Sequence, residues 1–120
     1  MLIRIDASSD VSIFEQVAAS IRSDMAAGRV RPDDKLPSAR EVAASLGVNL
    51  HTVLRAYQVL RDEGLVDMRR GRGAVVTQAA GDLTELMGDI MDLGARATAL
   101  GMTADALASL VRDSLKTARP

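Results

Sequence analysis

Between Ser38 and Gly64 the chain carries two helix starts and two helix stops, with only Gly47-Val48-Asn49 between them. Pro37 keeps the backbone extended up to Ser38. Ser38-Ala39-Arg40-Glu41 then reads as a capping box, with the serine hydroxyl accepting from a first-turn N–H and Glu41 reaching back. Val42, Ala43 and Leu46 form the inward face of a short helix, and Gly47 stops it. Asn49 caps the next helix, expected from about Leu50 to Glu63, whose inward stripe is Val53, Ala56, Tyr57 and Leu60. Gly64 closes it. By length and turn chemistry this pair is a helix-turn-helix.

The flanks complete a recognisable plan. Leu2–Ile5 suits a short extended arm. Ser12-Ile13-Phe14-Glu15 reads as another capping box, before a helix with Ile13, Val17, Ile21 and Met25 on one face and Phe14 and Ala18 beside them. Gly28 ends that helix. The connector to Pro37 has Val30 and Leu36 as its anchors, and Val48 reads as a buried turn residue. After Gly64, Leu65–Met68 and Ala74–Thr77 read as strands around a turn at Arg69–Gly73, where Gly71 and Gly73 supply positive φ. A helix-turn-helix followed by a β-hairpin is a winged helix, expected over residues 1–79.

Residues 80–120 read differently. Leu83, Leu86, Met87, Ile90, Met91, Leu93, Ala97 and Leu100 recur at steps of three and four; Gly101 breaks the run; Thr103 caps a last helix with Leu107, Leu110, Val111 and Leu115 on one face. About forty residues are too few to bury a core of their own. They must pack on the first domain, on a second copy, or on both. Leu83, Leu86, Met87, Ile90, Leu93, Leu107, Leu110 and Val111 are the expected dimerisation residues. The fold class is therefore mainly α with a small β-hairpin wing: a winged helix-turn-helix plus a C-terminal helical hairpin.

Composition removes other functions. The 120 residues contain no Cys, one His, one Tyr and one Phe. A disulfide scaffold, a thiolate metal site and a multi-His zinc site are excluded, and stacking platforms for single-stranded nucleic acid lack the rings they need. No nucleophile–base pair, metal constellation or phosphate-binding loop is visible, so neither an enzyme nor a cofactor is expected. Apolar runs are too short to span a membrane and no secretion signal is visible, so a cytoplasmic protein is expected. The formal charge of −1 does not itself suggest a nucleic-acid partner.

Local charge does. Arg69, Arg70 and Arg72 put three cations in four residues at a glycine-rich hairpin tip, where backbone and guanidinium can approach phosphate or a minor groove. Asn49, Leu50, His51, Thr52 and Arg55 cluster at the start of the second motif helix, the end that meets base edges in such motifs. Asn49 caps that helix whether or not it also meets DNA. His51 has no second His or Cys to complete a metal site, which leaves a solvated side chain or a phosphate contact. Arg40 is either an ordinary surface charge or a contact from the first motif helix to DNA.

Taken together, these segments resemble the GntR family of bacterial transcription regulators. The resemblance rests on Ile13-Phe14-Glu15-Gln16-Val17, Gly28-Arg29-Val30-Arg31-Pro32, Leu36-Pro37-Ser38-Ala39-Arg40-Glu41-Val42-Ala43, Leu46-Gly47-Val48-Asn49, His51-Thr52-Val53, Ala56-Tyr57-Gln58-Val59-Leu60, Glu63-Gly64-Leu65-Val66 and Arg70-Gly71-Arg72-Gly73. It covers about residues 10–77, and the short two-helix tail resembles the YtrA-type subfamily. The resemblance implies a homodimeric winged helix on a palindromic double-stranded DNA operator, probed by Ser38, Arg40, Asn49, Leu50, His51, Thr52, Arg70, Gly71 and Arg72; Leu54, Arg55 and Gly73 beside them are also expected at the DNA. It also implies a repressor with adjacent membrane-transporter genes as targets. Leu50 and Leu54 are apolar where relatives are often polar, which leaves thymine-methyl contacts as their means of readout. Asp33 stands where the family often has glycine, and Asp tolerates the left-handed region better than most residues. A small-molecule effector, if one acts, is expected at the dimer interface or between tail and winged helix. The competing reading is a winged-helix module for protein–protein interaction without specific DNA binding, favoured by the near-neutral charge and the two leucines.

Overall fold

A computed structural model describes residues 1–118. The element order is α1 (Ile13–Ala26), α2 (Ala39–Leu46), α3 (Leu50–Asp62), β1 (Val66–Arg69), β2 (Gly73–Val76), α4 (Ala79–Ala99) and α5 (Ala104–Ala118). The fold is mainly helical with one antiparallel hairpin. The chain divides into two compact units, Met1–Met87 and Gly88–Pro120.

In the first unit, the inward stripes read from the sequence meet in one core. Val17, Ile21 and Met25 of α1, Val42 and Ala43 of α2, and Val53, Ala56, Tyr57 and Leu60 of α3 are all buried. Full burial of an aliphatic side chain of this size stabilises by about 1.5–3 kcal/mol. Val30 and Leu36 anchor the connector as expected. Val48 is only half-buried, packed at the edge of this core. Gly47, at φ 67, ends α2 in the left-handed conformation that lets the chain turn into α3 within three residues.

The capping boxes fare unequally. The Ser38 hydroxyl accepts from the Glu41 N–H at 3.1 Å. Ser12 occupies the N-cap of α1 but its side chain makes no capping bond, a correction to the sequence reading. The segment entering α1 is held instead by Gln16, one turn on. Its Nε2 donates to the Asp6 and Val11 carbonyls at 3.0 and 2.8 Å, and its Oε1 accepts from the Asp6 N–H. Gln16 thus secures the segment entering α1. The arm is further tied by the Arg4 N–H, which donates to Ser20 Oγ at 3.1 Å, with Ile3 and Ile5 half-buried against the core.

The hairpin pairs Val66 with Val76, Asp67 with Val75, Met68 with Ala74 and Arg69 with Gly73. It lies one residue beyond the expected start of β1 and one before the expected ends of β2. The far edge of β2 is not free. The Asp33 N–H donates to the Val76 carbonyl, the Val76 N–H to Asp34, and the Leu36 N–H to Ala74, at 2.8–2.9 Å. The connector is therefore part of the wing's hydrogen-bonding, which the sequence reading had not foreseen. Thr77 fastens the base of the wing to the end of α3, its hydroxyl donating to the Gly64 carbonyl at 2.6 Å.

The first unit extends past residue 79, where the sequence reading drew its boundary. Ala80 is fully buried in its core, Leu83 packs on that core, and the Thr84 hydroxyl donates to the Met25 carbonyl at 2.7 Å. In the second unit, Gly101 at φ 77 follows α4, and Thr103 Oγ1 accepts from the Ala106 N–H at the start of α5. Ala97 is buried and Leu107 half-buried, while Ile90, Leu93, Leu110 and Val111 remain exposed.

Among the described residues, Asp33 is the non-glycine residue with positive φ, at 71°. A left-handed conformation costs an L-residue roughly 1–2 kcal/mol, less for Asp. Asp33→Gly should therefore change stability by less than about 1 kcal/mol, whereas Asp33→Val should lose about 2 kcal/mol, as β-branched residues tolerate this region worst. Urea denaturation of the two variants measures the difference.

Candidate nucleic-acid interface

Helix α3 is held from both sides, which fixes the direction of its polar face. Tyr57, only 2% exposed, donates its hydroxyl to the Pro37 carbonyl at 2.6 Å. This bond ties the middle of α3 to the residue immediately before the α2 cap. Burial, with a smaller contribution from the Glu41 charge, pushes the Tyr57 hydroxyl up to about 12. The tyrosine therefore stays a donor throughout the physiological range. On another flank the Arg22 guanidinium makes a two-pronged ion pair with Glu63, at 3.0 and 2.8 Å. Sequence reading placed Tyr57 in the core but missed its role as a polar clamp, because hydrophobic periodicity says nothing about where a hydroxyl finds its acceptor.

The residues expected at the interface divide by what they do in the structure. Asn49 Oδ1 accepts from the His51 N–H at 2.8 Å, so its carbonyl end is committed to capping α3. Ser38 Oγ is likewise committed to α2. His51 is exposed at the first turn of α3, and Thr52 is half-exposed beside it. Leu50 is half-buried and packs on the core. Leu54 is half-buried as well. Arg55 has its guanidinium carbon 3.9 Å from the centroid of the Phe14 ring, a cation–π contact joining α3 to α1. That contact gives Arg55 an intramolecular occupation that neither helix pattern disclosed.

Pairing separates the remaining cations. Arg22, Arg29, Arg61 and Arg69 each meet a carboxylate. Arg69, expected as one of three wing cations, is 3.7 Å from Asp67 on the same strand. Among the described residues, Arg40, Arg70 and Arg72 have no such partner. Arg70, Gly71 and Arg72 form the exposed tip, closed by the Arg72 N–H donating to the Arg69 carbonyl at 3.1 Å, and Gly71 takes the positive φ of 81 that this turn requires. Lys35 joins this set from outside the hairpin. The pairing of the connector with β2 brings it to the wing, where its Cε lies 3.7 Å from the position a Cβ on Gly73 would occupy. Sequence reading missed Lys35, since only the bridge between Lys35 and Val75 carries the relation. Among the described residues no cluster of three or more His, Cys, Asp or Glu side chains could hold a metal ion, and no helix is long and apolar enough to cross a membrane.

Residues 13–76 match the family of bacterial regulatory proteins described as gntR. The chain belongs to the GntR family. Its 13–76 region is the family's helix-turn-helix DNA-binding domain, and the relatives that it matches are named as transcriptional regulators. It is 38% identical over 79 residues to the HTH-type transcriptional repressor YtrA of Bacillus subtilis, a match covering 66% of this chain and 61% of that protein. The match thus spans under two thirds of that relative. A solved structure of YtrA from Sulfolobus acidocaldarius, a GntR-family transcription factor, is 38% identical, with a TM-score of 0.62 over 81% of this chain and 99% of that one. These similarities support the YtrA-type subfamily. The DNA-binding domain of AraR in complex with its operator ORX1 is 29% identical, with a TM-score of 0.55, covering 62% of this chain and 92% of that one.

Replacing Tyr57 by Phe should cost about 1 kcal/mol at neutral pH, the net worth of one hydrogen bond. The sign of the pH effect follows from the raised hydroxyl. Its stabilising contribution is complete below pH 10 and is lost as pH rises towards 12. The gap between wild type and Tyr57→Phe in thermal or urea unfolding should therefore narrow across that window.

Proposed function

We propose that this GntR-family chain is a repressor that binds a palindromic operator as a homodimer. The observation that carries the reading is the set of cations left without carboxylate partners at the wing and at the start of α2: Lys35, Arg40, Arg70 and Arg72. An unpaired guanidinium or ammonium in solvent pays no ion-pair penalty when it moves to a phosphate. His51 and Thr52, at the first turn of α3, are the candidates for base edges, together with the amide nitrogen of Asn49, which capping leaves free. Arg55 and Leu50 have a lesser part, since each is engaged within the protomer. Gly71 and Gly73 let the wing backbone come close to the duplex. The operator complex formed by the AraR domain, a similar winged helix, supports the same docking here. The repressor name of the similar YtrA supports the direction of control, and adjacent transporter genes are the expected target.

The dimer reading rests on exposed side chains. Leu86, Ile90, Leu93, Leu110 and Val111 are 39–58% exposed, a larger apolar display than a monomer of this size needs. Leu83, Met87 and Leu107, the other expected dimerisation residues, are half-buried, and Leu83 packs on its own unit's core. The alternative of a protein-interaction module draws less support from the two leucines. Leu50 packs on the core and Leu54 is half-buried, so neither stands fully free as an apolar hook.

Selection of bound duplexes from a random pool should return an inverted repeat, and a non-palindromic or empty selection would overturn the operator reading. On that site, Arg40→Ala and Arg72→Ala should each weaken binding, with the salt slope shallower by about 0.9 per contact per protomer. If both variants bind as tightly as wild type, the groove assignment is wrong. Ile90→Glu should convert a dimer to a monomer in sedimentation and reduce operator affinity with it. An unchanged dimer would move the interface elsewhere.

A further inference from the structure

Leu54 is an apolar residue on an otherwise polar face of α3. It stands three residues after His51 and four before Gln58, so the three share one side of the helix, and both neighbours are exposed. The contacts that hold α3 leave this side open. Val53, Ala56, Tyr57 and Leu60 point into the core. Arg55 and Glu63 turn towards α1, where they meet Phe14 and Arg22. Tyr57 reaches the Pro37 carbonyl, beside the start of α2. The side with His51, Leu54 and Gln58 lies between these two flanks.

The two leucines near the start of α3 separate in the structure. Leu50 is half-buried because it packs on the hydrophobic core. Leu54, also half-buried, is outside that cluster. Core packing therefore does not account for an aliphatic side chain there, and its exposed part gains only when another apolar group covers it.

Position names that group. Leu54 is one turn on from Leu50, towards the end of a recognition helix that meets base edges. The apolar group that base edges present in the major groove is the C5 methyl of thymine. We propose that Leu54 reads a thymine methyl in each half-site and is a specificity-determining residue of the DNA interface. The methyl marks one strand, so this contact tells A·T from T·A, a distinction that the minor-groove edge does not offer the wing. The proposal rests on the operator reading and deepens it by naming one base of the site. Leu50, committed to the core, has no such part.

The test is a scan of the selected operator, bound by the full chain. Each thymine in turn is replaced by deoxyuridine in both half-sites, which removes the methyl and keeps every hydrogen-bonding edge. At one position wild-type binding should weaken about fourfold per half-site, the worth of covering one methyl-sized group. In Leu54→Ala that position should become indifferent to the replacement. In Arg72→Ala, which removes a proposed phosphate contact, the sensitivity should persist. Should Leu54→Ala fail to fold, Leu54→Gln, which keeps the stem and replaces the terminal methyls by an amide, decides by the same criterion. A wild-type chain indifferent to the methyl at every thymine, or an undiminished response in the Leu54 variant, overturns the proposal. A chain that selects no duplex at all overturns the operator reading, and this proposal with it. A selected duplex with no methyl-sensitive position overturns this proposal alone.

Discussion

Val53, Ala56 and Leu60 are wholly withdrawn from solvent, and Tyr57 between them reaches the Pro37 carbonyl. These four positions determine how α3 can sit. Rotating the helix to free any one of them would expose apolar surface and strand a buried hydroxyl, each costing on the order of 1–3 kcal/mol. The opposite side of the helix, with His51, Arg55 and Gln58, is therefore held in solvent by the core. The face proposed to meet DNA is in this sense a product of burial periodicity. Its precision comes from the clamp to the start of α2, which couples the two helices through a single hydroxyl.

The flanks of α3 show how polar side chains supplement that core. Arg55 over Phe14 and Arg22 on Glu63 both join α3 to α1, one near the middle of the helix and one at its end. Neither is worth more than about 1 kcal/mol at such exposure. Their value is geometric, since two contacts spaced along the helix resist tilting as well as sliding.

Helix order, the turn at Gly47, the hairpin and the core were legible in the sequence because each depends on local spacing of apolar residues and glycines. The left-handed Asp33 was legible only through the family resemblance, in which glycine often stands at that position. Partnerships between distant segments were not. The Gln16 side chain, not foreseen as an anchor, bonds backbone five and ten positions back. The pairing of Asp33–Leu36 with β2 has no periodic signature in a connector with two prolines, and with it Lys35 went unnoticed. The extension of the first unit to Met87 depends likewise on a hydroxyl, Thr84, meeting a carbonyl 59 residues away.

A formal charge of −1 made DNA binding look unpromising, and the structure explains why that count misleads. Charge acts on a phosphate according to whether it is already neutralised nearby and how far it stands from the duplex, within a Debye length of about 8 Å at physiological salt. Several arginines are neutralised inside the fold by carboxylates: Arg22 by Glu63, Arg29 by Asp24, Arg69 by Asp67. Such pairs cancel in the sum and also cancel in space. The acids of α4 and α5 enter the sum too, though they belong largely to the second unit. What is left near the wing and the start of α2 is a small group of uncompensated cations on elements whose backbone is fixed by the core. A few fixed charges give weaker indiscriminate attraction than a basic tail would, and they lose less entropy on docking. An interface of this kind trades affinity for any duplex against discrimination among duplexes.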